Sequence, residues 1–258
     1  MYDPPAYLWA ITIAGPTGIA AATCIVLYGG AERAGLGRRR AALLAGAAAV
    51  LLGGWFTASA LIADHGWYHT LPWYPVAAAG FLGALLALSR IPMVARTLTA
   101  PGMPSRLLLP HSFRVAEVAF LLYLALGHLP ALFALPAGLG DIATGIAAPF
   151  VAYRLARGTG RRAALWFNAF GMTDLVVALT LGALTGFQLL NVTPSGVPLT
   201  ELPLALVPTA GVPLLFALHL TSTFTLARTP RPPPSAARSF SGATPRAAVT
   251  QSLASRAR

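Results

Sequence analysis

Seven long apolar stretches, separated by short polar segments, constrain the fold of this chain more than any other feature. A helix needs about 20 apolar residues to cross the hydrocarbon core of a bilayer, which is roughly 30 Å thick. The stretches lie near 7–29, 41–63, 75–95, 113–129, 135–156, 163–187 and 203–227. They predict an all-α, polytopic membrane protein with seven transmembrane helices, which form one domain over residues 1–228.

The composition excludes a protein that is surrounded by water. Of the 258 residues, 56% are hydrophobic and only 10% are charged, whereas soluble domains carry about 25% charged residues. An ordinary soluble enzyme and a disordered protein are therefore excluded. A nucleic-acid partner is excluded as well, although the formal charge of +11 would by itself favour one. The expected partner is the lipid bilayer. The single cysteine, Cys24, rules out a disulfide within the chain and a multi-cysteine zinc site.

All 18 basic residues are arginines, and their placement predicts the orientation of the chain. They lie between spans one and two, three and four, and five and six, and after span seven. The alternate segments 1–6, 64–74, 128–136 and 188–202 contain none. Positively charged loops stay in the cytoplasm. We therefore predict an outside N-terminus, a cytoplasmic C-terminus and a multi-pass location in the cell (inner) membrane. Arg114 counts here as an arginine of the loop before span four.

The segment 229–258 is a basic tail rich in Pro, Ser, Ala and Arg, with no apolar period. We expect it to be disordered and cytoplasmic. Its arginines would suit contact with anionic lipid headgroups or with a cytoplasmic partner. A solvated extension without a specific partner explains the same composition more simply.

Short similarities between the two halves of the chain suggest an internal repeat. The pentapeptide TGIAA occurs at 17–21 and again at 144–148, and GRRRAAL at 37–43 resembles GRRAAL at 160–165. With LLAL at 85–88 and LFAL at 215–218, these matches place spans one to three over spans five to seven, with span four as a linker. This 3+1+3 plan resembles that of the sugar-transporting SWEET proteins, whose signature motifs the chain lacks. Chance similarity in a chain dominated by Ala, Leu, Gly and Arg is the alternative.

Ionisable and amide side chains inside the spans predict a polar site. A charged group within a span raises the free energy of membrane insertion by roughly 2.5–3.5 kcal/mol, so we expect each one to have a functional or structural role. The predicted polar transport or proton site consists of Asp174, His219, Asp141, Asn168 and Glu117. The alternative is structural, because such groups also hydrogen-bond neighbouring helices. For Glu117, an ion pair with Arg114 one turn away, near the cytoplasmic face, is a sufficient explanation.

A second polar group near the outer face predicts a divalent-metal site. His65 and His69 are four residues apart, so a continuing helix would present both imidazoles on one face. The predicted ligands are Asp64, His65, His69 and His128, with Asp141 as a further candidate, in a nitrogen and oxygen shell that suits zinc. The same stretch, HGWYHTLPWY, also has the composition of an aromatic belt at headgroup level. An interfacial loop without a ligand is therefore the alternative.

Prolines and glycines interrupt three of the spans. Span one contains Gly15-Pro16, span five contains Pro136 and Pro149, and span seven contains Pro208 and Pro213 around Gly211. Kinked helices with freed carbonyl groups line cavities in many transporters, although they also serve as packing devices. We expect spans one, five and seven to line any cavity.

Two segments carry a resemblance to a known group of proteins. FALPAGLGDIATGIAAPFVA (133–152) and PLALVPTAGVPLLFALHLTS (203–222) resemble segments of bacterial multi-pass membrane proteins that have no assigned activity. The resemblance implies the membrane fold and no catalytic residue. Retinal proteins share the seven-helix plan, but they need a Schiff-base lysine that the chain lacks. Seven-helix zinc hydrolases place their H-x-x-x-H at the end of the bundle, and here it follows span two.

These observations favour a small-solute or proton-linked transporter and leave two alternatives open. One is an intramembrane enzyme, metal-dependent or acid–base, that acts on a lipid-soluble substrate. The other is a non-catalytic membrane subunit whose polar residues bind partner helices. A homo-oligomer and a membrane partner subunit are both compatible with the sequence, which names no substrate.

Overall fold

The structure, a computed structural model, describes residues 4–228, and every regular element within them is helical. The predicted basic tail, 229–258, lies outside the described residues. In chain order the helices are α1 (Ala6–Arg33), α2 (Arg38–Asp64), α3 (Trp73–Leu88), α4 (Pro92–Leu98), α5 (Met103–Arg106), α6 (Val118–Ala125), α7 (Ala131–Ala156), α8 (Arg161–Gly186) and α9 (Val212–Arg228). Three 3₁₀ segments (Trp67–His69, Leu109–Glu117 and Val197–Thr200) and one π turn (Val207–Gly211) complete the set.

Six helical segments are long and apolar enough to cross a membrane. They are α1, α2, Met103–Ala125, α7, α8 and Val207–Arg228. The pair of α3 and α4, with a bend of 88° between the two helices, makes a seventh if the pair forms one span. The all-α class and the membrane-spanning character predicted from the sequence are confirmed. The orientation and the internal repeat remain predictions.

The third span differs from its prediction. The sequence predicted one helix near 75–95, but α3 ends at Leu88 after 16 residues and α4 turns away at Pro92. Proline lacks a backbone N–H and disfavours helical conformation in the preceding residue, here Ile91, which is extended. The helix therefore breaks at Ser89–Ile91, and α4 runs at a steep angle to α3.

Large apolar side chains cover the outside of the bundle. Ile25, Val50, Phe150 and Trp166 are each more than 60% exposed. A water-soluble protein would bury such side chains, whereas lipid tails are as apolar as they are. Several ionisable side chains are instead fully enclosed by the bundle, among them Arg114 and Glu117. The surface fits a lipid environment.

The helices alternate in direction, so most arginines collect at one end of the bundle. Here α1 ends and α2 begins, and α7 ends and α8 begins. Asn168, near the start of α8, hydrogen-bonds Ser222, near the end of α9, which places the end of α9 there too. We call this the arginine end; it carries Arg33, Arg38–Arg40, Arg154, Arg157, Arg161, Arg162 and Arg228. The opposite end carries the loops 65–72 and 187–206.

A proline shapes the start of the last span. Pro213 has no N–H to donate to the carbonyl of Thr209, four residues earlier. The indole Nε1 of Trp55 in α2 donates to that carbonyl instead, at 2.9 Å. The freed backbone group is thus satisfied from a neighbouring helix, as the low-dielectric interior of a membrane protein requires.

A chain of hydroxyl groups joins the same π turn to α2. Thr209 Oγ1 donates to the carbonyl of Ala205 at 2.6 Å, so it accepts from Ser59 Oγ, which lies 2.6 Å away. Ser59 in turn accepts from the Tyr68 hydroxyl at 3.0 Å, because each hydroxyl has one proton to give. Burial raises the pKa of the Tyr68 phenol. Together these bonds fix the π turn against α2.

Candidate functional site

The fourth span presents three ionisable side chains in one row. Its middle part, Leu109–Glu117, is a 3₁₀ helix of 9 residues, although runs longer than about 3–4 residues are uncommon. With three residues per turn, side chains three apart lie above one another. His111, Arg114 and Glu117 therefore point the same way, and all three are buried, while Phe113 and Val115 are exposed. In an α-helix, with about 3.6 residues per turn, the same three side chains would instead spread over an arc of about 120°.

Arg114 is the centre of the site. Its side chain is fully buried, and its guanidinium binds two carboxylates from two other helices. Nε donates to Asp141 Oδ1 of α7 at 2.5 Å, and Nη2 donates to Asp174 Oδ2 of α8 at 2.5 Å. Charge-assisted hydrogen bonds of this kind are shorter and stronger than neutral ones. One arginine thus ties together the fourth, fifth and sixth spans near the middle of each.

Two glycines make room for this arrangement. A Cβ atom at Gly140 would collide with the carboxylate of Asp174, and one at Gly171 would collide with the imidazole of His219. The same Cβ at Gly171 would lie 3.4 Å from Arg114 Nη1. The absence of side chains at these positions lets the polar groups of neighbouring helices approach the backbones of α7 and α8.

A second polar chain runs from the site toward the arginine end. His219 Nδ1 lies 2.9 Å from Asn168 Oδ1, and Asn168 Nδ2 donates to Ser222 Oγ at 3.0 Å. With the amide placed in this way, Nδ1 of His219 carries the proton. His219 also stacks on His111, with ring centroids 3.9 Å apart and planes at 29°. The stack joins this chain to the row on the fourth span.

The charges of the site do not balance. The buried cluster contains three carboxyl groups (Glu117, Asp141 and Asp174) and one guanidinium (Arg114). Full ionisation would leave two negative charges in excess, and uncompensated charge in an apolar interior is costly. A proton or another cation held at the site would reduce the excess. The cluster is therefore suited to take up and release positive charge.

Several buried polar atoms of the site have no hydrogen-bond partner among the described residues. They are both ring nitrogens of His111, His219 Nε2, Arg114 Nη1 and Glu117 Oε2. An unpaired buried polar group costs about 1–3 kcal/mol, so native structures rarely keep several together without a purpose. The site thus has spare donors and acceptors beyond those used in its ion pairs.

A small cavity lies beside the site, on the side of the opposite end. Its volume is about 30 Å³, enough for one water molecule. Among the described residues, Asp141 is the one charged residue in its lining, and the others are mostly apolar residues of α3, α6, α7, α8, α9 and the segment before α9. Val207 and Pro208 of the π turn also line it. π-helical turns are frequent at functional sites.

The structure brings all five residues of the predicted polar site together. Asp141, predicted to lie toward the outer face, pairs with the same arginine as Asp174, near the middle of the bundle. Asn168 and His219 are hydrogen-bonded to each other. Glu117 faces Gly15 of α1. It does not form the expected ion pair with Arg114, because the row arrangement aims the guanidinium at α7 and α8 instead.

Two members of the cluster were missed from the sequence. Arg114 was counted with the arginines of the loop before span four, because arginines are typical of inner loops. His111 precedes the predicted start of the span near 113. The spacing H-x-x-R-x-x-E (111–117) could have revealed both, had a three-residue repeat been considered beside the α-helical one.

The predicted metal ligands lie at the opposite end of the bundle. His65 Nδ1 bonds the carbonyl of Leu61 at 2.7 Å, and His69 Nδ1 bonds Thr200 Oγ1 at 3.0 Å. His69 belongs to a 3₁₀ turn that follows α2, so the i, i+4 geometry of a continuing helix is not formed. Within residues 4–228, no three His, Cys, Asp or Glu side chains are arranged to hold a metal ion. The metal site, with Asp64 and His128 as further ligands, stays a prediction.

Comparison with known proteins identifies a family without assigning an activity. No curated protein matches the chain, and no solved structure does either. One protein family matches residues 71–227 and is described as a domain of unknown function, DUF8737. The matched region includes the whole cluster from His111 to Ser222 and leaves out α1 and α2. The chain belongs to the DUF8737 family.

Proposed function

We propose that this protein is a proton-linked membrane transporter of a small solute, and that the Arg114 cluster is its proton site. The observation that carries the proposal is the bridging of Asp141 and Asp174 by one buried guanidinium, with a third carboxyl group and two imidazoles beside it. Ionisable groups within the membrane mark ion pathways and proton relays in many transporters. The matched family adds no function to this argument.

Proton binding at the cluster would change the contacts between helices. A carboxylate of Asp141 or Asp174 that gains a proton loses its charge, and its ion pair with Arg114 is reduced to a neutral hydrogen bond. Arg114 lies on the fourth span and its two partners lie on α7 and α8. The relative stability of two arrangements of these three spans would therefore depend on proton occupancy, as proton coupling requires.

A small cavity adjoins the cluster on one side, and a chain of polar side chains leads away from it on the other. Toward the opposite end, the cavity of about 30 Å³ reaches Asp141. Toward the arginine end, the chain from His219 through Asn168 to Ser222 continues with bonds of 2.9 and 3.0 Å, within the reach that proton transfer needs. Two stacked rings 3.9 Å apart would share at most one extra proton, because two cations at this separation repel each other strongly.

Two elements at or near the cluster are irregular helices, and such helices are suited to a change of conformation during transport. The 3₁₀ row on the fourth span and the π turn before α9 both depart from α-helical hydrogen bonding. Conversion of either to an α-helix would rotate its side chains relative to the partner helices. Discontinuous helices around a site at mid-depth are typical of secondary transporters.

The proposal is tested by charge movement, which needs no knowledge of the solute. Proteoliposomes adsorbed on a solid-supported membrane are exposed to a sudden drop in pH, and the transient current is recorded. Wild-type protein should give a current, since protons enter the cluster. Asp141→Asn and Asp174→Asn should each reduce the displaced charge at least about tenfold.

The matched control is Glu32→Gln, which removes an exposed carboxylate at the end of α1. This variant should behave as wild type. Equal currents in Glu32→Gln and in both aspartate variants would contradict the proposal and favour a structural role for the cluster, as in a non-catalytic subunit. Protein that gives a proton-dependent current would then be screened with classes of small solutes for a substrate that changes it.

A further inference from the structure

Two adjoining cavities lie beside α9 at the arginine end, away from the Arg114 cluster. The deeper one has a volume of about 400 Å³ and lies between α1, α2, α3, α4 and α9. The other has a volume of about 290 Å³ and opens beside the ends of α3 and α9. Ser89, Leu98 and Thr221 line both, so the two cavities form one continuous groove.

The two parts of the groove differ in chemistry. The deeper part is lined almost entirely by aliphatic side chains, including Leu52, Leu85 and Leu218, and no charged residue within 4–228 contributes to it. The outer part is lined by Arg90 and Arg228. Neither arginine forms an ion pair with any other residue of the described range 4–228. The groove therefore has an apolar deeper part and an outer part with two positive charges that no acidic side chain compensates.

In the outer part of the groove, the arginines rather than the hydroxyl groups can donate hydrogen bonds to a ligand. Ser89, Thr99, Thr221 and Thr225 each donate to a carbonyl of their own helix. Since a hydroxyl has one proton, none of the four has a donor left for a ligand. The guanidinium groups of Arg90 and Arg228 supply the donors, and guanidinium binds phosphate in a bidentate manner.

The short helix α4 closes the groove from one side. It turns by 88° from α3 and places Met93, Val94 and Leu98 over the apolar part. Ala95 and Thr99 border the outer part. A third cavity, of about 360 Å³, lies between α3, α8 and α9, and none of its described lining residues is charged, so they offer nothing that would recognise a headgroup.

We infer that this groove binds one anionic phospholipid, with an acyl chain between α1, α2, α3 and α9 and the phosphate between Arg90 and Arg228. Basic pockets between membrane helices are suited to anionic headgroups. A zwitterionic headgroup would bring a quaternary ammonium group toward two arginines, which disfavours it. The tail that follows Arg228 is an unsuitable occupant, because residues 229–258 contain five arginines and no acidic residue.

The inference is independent of the proposed transport function and is tested on the full-length protein by native mass spectrometry in detergent. Phosphatidylglycerol and phosphatidylcholine are added at equal concentration. Wild type should bind one phosphatidylglycerol at least about tenfold more tightly than phosphatidylcholine, a difference of about 1.4 kcal/mol. The double variant with Arg90→Gln and Arg228→Gln should lose this preference.

Three further measurements distinguish lipid binding in the groove from nonspecific adsorption. Arg96→Gln, on the exposed side of α4, should keep the preference. Ala48→Phe, which fills the apolar part, should weaken binding of both lipids while the arginines remain. Inorganic phosphate at the concentration of the lipid should displace nothing. Melting temperatures identify any variant that fails to fold.

The inference is overturned by wild-type protein that binds the two lipids equally, or by a double arginine variant that folds and keeps the preference. Displacement of the lipid by inorganic phosphate would also overturn it and would assign the arginines to a free anion.

Discussion

Replacement of Arg114 by glutamine tests the energetic role of the cluster. The change removes the guanidinium that donates to Asp141 and Asp174 at 2.5 Å each. Charge centres about 4 Å apart attract with about 4 kcal/mol at an effective dielectric constant of about 20. Relaxation of the surroundings recovers part of the loss from the two pairs, and removal of one partner of a buried ion pair typically costs about 3–5 kcal/mol. We expect a free energy of unfolding lower by about this amount.

Thermal unfolding in detergent, followed by the fluorescence of the five tryptophans, measures the effect. A loss of about 3–5 kcal/mol corresponds to a melting temperature lower by about 10 °C, at about 2–4 °C for each kcal/mol in a chain of this size. The control is Arg96→Gln, which changes an exposed arginine of α4. It should change the free energy of unfolding by less than about 0.5 kcal/mol.

A double-mutant cycle separates the ion pairs from other effects of the substitution. Asp141→Asn in the Arg114→Gln background removes a carboxylate that has already lost its partner, so the double variant should be more stable than the sum of the single losses predicts. A coupling energy of about 0.5–3 kcal/mol is expected. The same cycle with Asp174→Asn should give a value of similar size. An Arg114→Gln variant that melts within about 2 °C of wild type, or cycles without coupling, would refute the reasoning.

Three further changes test other parts of the account. Gly140→Ala should unfold at a lower temperature than wild type, because its Cβ collides with the Asp174 carboxylate, whereas Gly80→Ala, where nothing lies within 4 Å, should be neutral or stabilising. Trp55→Phe should cost about 1–3 kcal/mol in free energy of unfolding, because the carbonyl that Pro213 frees loses its donor; an unchanged melting temperature would contradict this explanation. A reporter that is active only in the cytoplasm, fused after Arg258, should be active; a reporter found outside would overturn the predicted orientation.

The presence of six or seven membrane-crossing segments was predictable from the sequence because the bilayer sets the length of a span. The positions of α1, α2, α7 and α8 follow their predicted stretches within a few residues. The bend between α3 and α4 was predictable only in part. Pro92 indicates the end of a helix, but the angle of 88° depends on how α4 packs against α1. Hydropathy gives the count of segments and does not give their directions.

The candidate site was predicted in part. Asp141, Asn168 and Asp174 were identified because a polar group in an apolar run needs a reason. Their common partner, Arg114, was not, because the sequence rule that assigns arginines to cytoplasmic loops competes with the rule for buried charges. Only the 3₁₀ geometry of Leu109–Glu117 puts His111, Arg114 and Glu117 in one row, and a single sequence gives little warning of such a long 3₁₀ run.

The most direct test of the central claim is infrared difference spectroscopy of the protein in lipid bilayers, recorded between acidic and alkaline pH. A carboxyl group that gains or loses a proton changes its C=O stretching band, and burial separates that band from those of exposed carboxyl groups. The account predicts a band change in wild type that persists in Glu32→Gln and is lost or shifted in Asp141→Asn and Asp174→Asn. A spectrum in which both aspartate variants match wild type across the pH range would contradict proton exchange at the Arg114 cluster.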